Sequence, residues 1–447
     1  MTTAPADRIR IFSFGSLSMR TLHLTWLMFF VCFFGWFGLA PLMPVIRADL
    51  GLTKAEVGNI IIASVSATIV ARLVIGWCCD RWGPRLTAVV LLLLGSIPVL
   101  LVGLAQGYRE FLVFRLAIGV IGGSFVITQF HMALLFSDRV KGTASAIVAG
   151  WGNLGGGAAH FVMPLIYSLI IGFGFTPHAA WRYAMVVPAG MMWVMAFLYY
   201  RYTGDTPGGE LRGRVGDLRG GAREQGGARM GRGLPGKRRW AGYFRLLADR
   251  RVVVLICAYA SCFGVEITFD NVASIYFVDD FHLSTAQAGL CVGIFGSMNL
   301  FARALGGLFC DRFGMRWGMR GRGGLLAMVL VLEGVGLIVF AHSEVLAQAV
   351  GWMLVFGFFL KLANGVVYGI VPFVHPGSMG RIGGLVGAGG NLGGLTFGFL
   401  FRSTSLHYVQ AFGLIGLAAA AVGILVSCIR WEIPESGAII PGTVVTL

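Results

Sequence analysis

The chain has 447 residues, 57% hydrophobic and only 12% charged, with a formal net charge of +15 and a mean hydropathy of +0.79. A soluble globular chain carries about 25% charged residues, so this composition excludes an ordinary water-soluble fold and implies a bilayer. The basic residues gather at the ends of apolar runs and in one central segment, which is the pattern of positive cytoplasmic loops and not of a nucleic-acid face. The eight cysteines form no CxxC pair, so neither a disulfide framework nor a zinc site is expected, and no metal or other cofactor is implied.

Residues 1–22, with Arg8, Arg10 and Arg20, read as a cytoplasmic tail. The apolar run from about 24 to 46 is too long for a signal-peptide core and lacks a small-residue cleavage site, so it reads as a retained first span. Further runs lie near 57–79, 86–106, 111–136, 143–173 and 181–200. Six more lie near 252–278, 285–309, 323–341, 346–370, 382–402 and 407–430. Each is long enough for a hydrocarbon core of ~30 Å. The expected fold is an all-α membrane protein of twelve transmembrane helices in two pseudo-symmetric six-helix bundles, 23–200 and 252–430. A basic Gly/Arg-rich cytoplasmic linker, 201–251, joins them, and 431–447 form a cytoplasmic C-terminal tail.

With the N-terminus inside, the even-numbered connections carry Arg81, Arg85, Arg139, Lys141, the Arg-rich centre, Arg312, Arg316, Arg320 and Arg322. The opposite loops carry Arg47, Lys54, Arg109 and Arg182, partly offset by Asp49, Glu56 and Glu110. This satisfies the positive-inside rule for a multi-pass protein, with the plasma membrane as the expected site.

One segment recurs. Residues 71–85 read ARLVIGWCCDRWGPR and residues 302–316 read ARALGGLFCDRFGMR. In each copy an arginine, Arg72 or Arg303, precedes the Asp of a polar turn by eight residues, or ~12 Å of helix. If the turn marks a membrane surface, both guanidinium groups lie inside the bilayer, where each costs about 2.5–3.5 kcal/mol and is expected to face a cavity or a partner. A structural pairing with a carboxylate on another helix is the plainer reading. Two permanent cations converging from equivalent positions of the two halves describe an anion site.

A second repeat is glycine-rich with an embedded asparagine: VAGWGNLGGG at 148–157 and VGAGGNLGG at 386–394. Close helix packing explains Gly152, Gly155, Gly156, Gly390, Gly393 and Gly394. It does not explain Asn153 and Asn391, whose amides are expected to donate to an anion or to steady the arginines.

Two six-span halves joined by a basic linker, with the loop signature Gly76, Asp80, Arg81, Gly83, Arg85 and its copy Gly307, Asp311, Arg312, Gly314, Arg316, resemble the major facilitator superfamily. The doubled Gly-Asn signature together with an arginine in spans two and eight is similar to its nitrate/nitrite porter family. WLMFFVCFFGWFGLAPLMPVIRADLGLT, FGVEITFDN at 263–271, YGIVPF at 368–373 and DTPG at 205–208 look most like the eukaryotic high-affinity nitrate branch. The resemblance implies that Arg72 and Arg303 hold the anion, that Tyr259 assists, and that Phe125, with Phe37 and Phe263, walls the site. It places Asn153 and Asn391 on gating glycine helices. The partners it implies are nitrate, nitrite and protons, the lipid bilayer, and a single-pass helper subunit, with no nucleic acid. The short C-terminal tail and the Gly/Arg-rich linker depart from the larger family members.

Nitrate is charged at every biological pH and cannot donate a hydrogen bond, so it suits arginine forks that do not deprotonate. Uptake into a cell that is negative inside opposes an anion by ~2.3 kcal/mol per 100 mV, so import needs co-moving cations, at least two protons per nitrate for a net positive step. Glu266 and Asp270, one helical turn apart in span seven, are the proton-coupling candidates, with Arg115 beside them. Glu266 reads equally well as a partner for Arg115 or for a site arginine, and Asp270 as an outer cap. Glu333 and Lys361 read as a structural pair, His131 and His160 as hydrogen-bonded core histidines, and Gln129 as a polar candidate one turn below Phe125. Asp80 and Asp311 are expected to latch helix ends on the cytoplasmic side in the outward-open state. Three rival readings stand beside proton-driven import: nitrate/nitrite exchange, anion sensing without turnover, and a membrane enzyme. The last lacks any metal spacing, nucleophile elbow or phosphate loop.

Overall fold

The computed structural model describes residues 4–137, 140–207, 245–375 and 379–431. Arg139, most of the linker and residues 432–447 of the tail lie outside the described residues. The helices are α1 (Leu17–Phe37), α2 (Lys54–Trp82), α3 (Pro84–Leu104), α4 (Tyr108–Leu135), α5 (Lys141–Gly172) and α6 (Pro177–Tyr202), then α7 (Arg250–Phe281). A continuous stretch of 57 residues follows, Thr285–Ala341. At ~1.5 Å per residue it is more than twice as long as a ~30 Å core requires. It breaks at Gly318, whose φ of 60° and ψ of −150° are not helical, giving α8 (285–317) and α9 (319–341). α10 (Leu346–Val374), α11 (Arg381–Arg402) and α12 (Tyr408–Cys428) complete twelve spans among the described residues.

The boundaries correct the sequence reading in two places. The first apolar run is not one helix to residue 46: α1 stops at Phe37, and a separate short helix, Met43–Leu50, follows with Pro44 in its first turn. Pro41 and Pro44 both lack an N–H and crowd the carbonyl four residues back, so a single helix cannot pass through them. The two copies of the Asp-Arg turn also differ. α2 ends at Gly83, with φ 83°, and Pro84 opens α3. In the second copy Met315 replaces that proline, and the helix runs on to Gly318 before it turns.

α1 packs on α5 and α7 on α11, while α2 meets α11 and α5 meets α8 across the two halves. The glycine stretches make this possible. A Cβ on Gly155 would strike the Phe30 carbonyl of α1, and one on Gly393 would strike the Ala260 carbonyl of α7. These two contacts align the halves: six residues beyond each carbonyl stand Trp36 in the first half and Glu266 in the second. Large apolar side chains such as Leu73, Leu94, Phe197, Leu308 and Leu417 are exposed on the perimeter, as a lipid-facing surface requires.

The halves are pinned at the face opposite the Asp-Arg turns. Arg47 forms a two-pronged ion pair with Asp279, at 2.7 and 2.5 Å, and the Tyr408 hydroxyl donates to the same carboxylate at 3.0 Å. Lys54 also donates to the Leu406 carbonyl. At the turn face two polar contacts each lie within one half. The Asp205 carboxylate accepts from the Arg85 backbone N–H at 2.9 Å, and Arg322 donates to Asp311 at 2.9 Å.

Candidate functional site

Arg72, midway along α2, reaches into the second half. Its guanidinium donates to the Gly387 carbonyl of α11 at 2.8 Å and lies 5.5 Å from the centre of the Phe125 ring of α4. With the Asn391 amide turned so that its oxygen faces the guanidinium, that oxygen accepts from Arg72 at 2.8 Å. Among the described residues Arg72 has no carboxylate partner. Asn391 thus touches Arg72 through its amide oxygen in that orientation.

Arg303 is placed differently. A 3₁₀ turn at Met298–Leu300 interrupts α8, and Arg303 stands in the first turn of the helix that resumes at Ala302. Its side chain donates to Asn299 at 2.8 Å and to Glu266 of α7 at 2.6 Å, with the guanidinium 5.7 Å from the Phe263 ring. Glu266 is saturated: it also accepts from Asn299, from Asn364 and from the fully buried Lys361, each at 2.9 Å. The alignment of the halves accounts for the asymmetry. Where the second half has Glu266 the first has Trp36, which donates to Ser64, so no counter-charge comes from α1 for Arg72.

Two tyrosines occupy the space between the arginines. Tyr259 stacks on Phe263 at 5.0 Å with ring planes 9° apart and meets Tyr368 of α10 edge-on at 5.1 Å. Both lie within electrostatic reach of Arg72 and Arg303. The buried Tyr368 hydroxyl has no hydrogen-bond partner of good geometry. Phe125, Arg72, Tyr368, Tyr259, Phe263 and Arg303 thus form one strip across the middle of the molecule. It presents two guanidinium groups, two phenols and flat apolar walls.

Other expected site residues fall elsewhere. Phe37 belongs to an aromatic cluster with Phe33 and Trp36 inside the first half. Asn153 donates to the Ala149 carbonyl of its own helix at 2.7 Å, and Gln129 only to the neighbouring Thr128 at 3.4 Å. Gly152, Gly155 and Gly156 abut α1, and Gly390, Gly393 and Gly394 abut α7. Arg115 does not meet Glu266. It donates to the Trp36 carbonyl and to Asn271 of α7, both at 3.0 Å, and so links the halves. Asp270 is buried with Oδ1 unpartnered. Lys361 pairs with Glu266 and not with Glu333, which corrects the expected pair. The sequence reading gave no role in the site to Asn299, Asn364 or Tyr368. Asn299 carried a signal, since it stands one helical turn before Arg303 in an apolar run.

A family model for the Major Facilitator Superfamily matches residues 25–398. The Arabidopsis thaliana protein named high affinity nitrate transporter 2.5 is 36% identical over 98% of this chain and 84% of its own length. Nitrate transporter 2.1 of Chlamydomonas reinhardtii is also 36% identical, over 98% of this chain and 79% of that protein. The crystal structure of a bacterial homologue of the human lysosomal transporter Spinster, inward-facing and occupied, superposes with a TM-score of 0.69. It is 14% identical over 92% of this chain and 97% of that one, a likeness of fold alone. The chain therefore belongs to the major facilitator superfamily and, within it, to the family of the high-affinity nitrate transporters.

Proposed function

We propose that this protein imports nitrate, with nitrite as an accompanying substrate, in symport with protons. The anion is held between Arg72 and Arg303 while one six-helix half rocks against the other. Membership of the nitrate transporter family supports the substrate. The observation that carries the binding site is the uncompensated guanidinium of Arg72, on a strip whose second arginine shares a single carboxylate with Lys361. Arg72, Arg303 and Lys361 against Glu266 leave an excess of positive charge in a region where unpaired charge is unfavourable. A small anion that accepts hydrogen bonds and donates none relieves that excess.

With the site empty the arginines repel. A bound nitrate screens them and takes donors from Arg72, Tyr368 and Arg303, while Lys361 keeps Glu266 compensated. In the proposed orientation the Asp-Arg turns face the cytoplasm, in keeping with their arginines. The Arg47–Asp279 pair then closes the outer side, an inward-facing arrangement. Asp270, with one oxygen free, is the proton carrier of this reading. Glu266, with four donors, stays ionised as the counter-ion of Arg303 and Lys361.

The test is nitrate counterflow in proteoliposomes with Arg303→Lys beside the parent protein. Lysine cannot reproduce the planar fork, so strongly reduced counterflow is expected, and undiminished exchange by the variant overturns the site. The saturation of Glu266 favours one second reading, nitrate/nitrite exchange without proton coupling. Uptake that ignores an imposed pH gradient while counterflow persists would select it.

A further inference from the structure

Away from Arg320 and Arg322 at one end and His342 just past the other, Glu333 is the only ionisable side chain of α9. It is fully buried, and neither carboxyl oxygen has a hydrogen-bond partner among the described residues. α9 packs on α10 where Gly336 meets Phe356, on α12 where Val331 meets Gly423, and on α7 where Phe340 meets Phe269. α7 brings Glu266 and Cys262 within electrostatic reach of Glu333. α10 contributes Lys361, whose ammonium is engaged by Glu266 at 2.9 Å. Between Tyr408 and Cys428, α12 has no ionisable residue, and its Gly416 lies directly against Gly334. A carboxylate at that depth without a partner is strongly unfavourable, and a second anion beside Glu266 more so, whereas the neutral acid is tolerated.

The charge of the second-half cluster then depends on the proton of Glu333 as well as on that of Asp270. Arg303 and Lys361 supply two positive charges and Glu266 one negative. We propose that Glu333 is a proton-binding site of the transport cycle, whose occupancy changes the charge of the cluster beside the anion site by one unit. This rests on the proton-symport reading and extends it. Asp270 and Glu333 are both buried, with unpartnered carboxyl oxygens and Glu266 as a shared electrostatic neighbour, and together they match the two protons that net-positive import requires. With the proton on Glu333, Arg303 is available to nitrate. When the O–H bond breaks, the proton passes to water on the receiving face. The new carboxylate then draws Arg303 or Lys361 towards itself, and nitrate leaves a site whose positive excess has fallen by one charge. A proton from the opposite face restores the acid.

The experiment measures tracer nitrate flux and current together in proteoliposomes, for the parent and for Glu333→Gln, an isostere of the neutral acid. The parent is expected to move about two protons, hence about one net positive charge, per nitrate. Glu333→Gln is expected to retain nitrate counterflow, to lose one proton per nitrate and to become electroneutral, and Glu333→Asp is expected to regain the second proton. A Glu333→Gln variant that still moves two protons per nitrate, or that loses counterflow together with coupling, overturns the proposal. A parent protein that transports nitrate without protons overturns the symport reading and this inference with it; a coupled parent with an unaltered variant overturns this inference alone.

Discussion

Arg303 and Glu266 are joined at 2.6 Å, and the same carboxylate holds Lys361 at 2.9 Å, so two buried cations share one anion. Glu266→Gln leaves both without a counter-charge and is expected to destabilise the protein by about 3–5 kcal/mol, the usual consequence of breaking a buried pair from one side. Adding Lys361→Met removes one stranded cation and should recover part of the loss. Thermal unfolding of the purified protein in detergent reads both. A single variant as stable as the parent would show that Glu266 is not their counter-ion.

The Tyr368 hydroxyl is buried beside the Gly387 turn of α11 that receives Arg72, and it lacks a good hydrogen-bond partner. If it donates to the bound anion, Tyr368→Phe removes one hydrogen bond worth about 1–1.5 kcal/mol, a rise of roughly 5- to 12-fold in the KM for nitrate. Folding and maximal rate are expected to stay near those of the parent. Initial-rate uptake over a nitrate concentration series checks this, and an unchanged KM removes Tyr368 from the site.

Arg47 and Asp279 close one face of the molecule with a bidentate pair that keeps 31% and 25% of its side-chain surface exposed. Screening by solvent limits such a pair to about 1 kcal/mol, enough to change the population of the open state about fivefold. Asp279→Asn should therefore speed maleimide labelling of a cysteine introduced as Val57→Cys, a position just inside the latch, by a similar factor. Tyr408→Phe, which removes only the third contact, should have a smaller effect. Equal labelling rates in all three proteins would mean that the latch does not hold this face shut.

Asp249 caps α7 and accepts from Arg251 and His375, each at 2.8 Å. Burial raises its pKa, but Arg251 and His375 outweigh that and pull it from 3.8 down to about 2. A depressed folded-state pKa contributes stability above the unfolded value, which is lost as the pH falls towards the folded value. Asp249→Asn is thus expected to cost about 1–2 kcal/mol at neutral pH, with the difference from the parent shrinking between pH 4 and pH 2. Chemical unfolding in detergent at several pH values measures it, and a gap that widens in acid contradicts the sign.

Much of the architecture was legible without coordinates. Apolar runs of span length, the arginine repeat and the doubled Gly-Asn stretch are local features. Transfer into a bilayer and helix periodicity act on a window of about twenty neighbouring residues, so a linear reading can sum them. The departures at the first span and at the second Asp-Arg turn are also local: Pro41 and Pro44 split the first apolar run, and Met315 lets the helix continue where Pro84 of the first copy starts a new one.

The wiring of the charges was not legible in the same way. Glu266 takes its donors from residues 33, 37, 95 and 98 positions away, and Arg47 finds Asp279 across 232. Which cation a buried carboxylate chooses depends on distances of a few ångströms between helices, because electrostatic energy in a poorly polarisable interior falls off with separation in space and is indifferent to separation along the chain. Chain order thus sufficed to specify a two-fold membrane bundle with one arginine at the middle of each half. Folding in three dimensions determined that Arg303 is compensated and Arg72 is not, because α7 carries Glu266 where α1 carries Trp36.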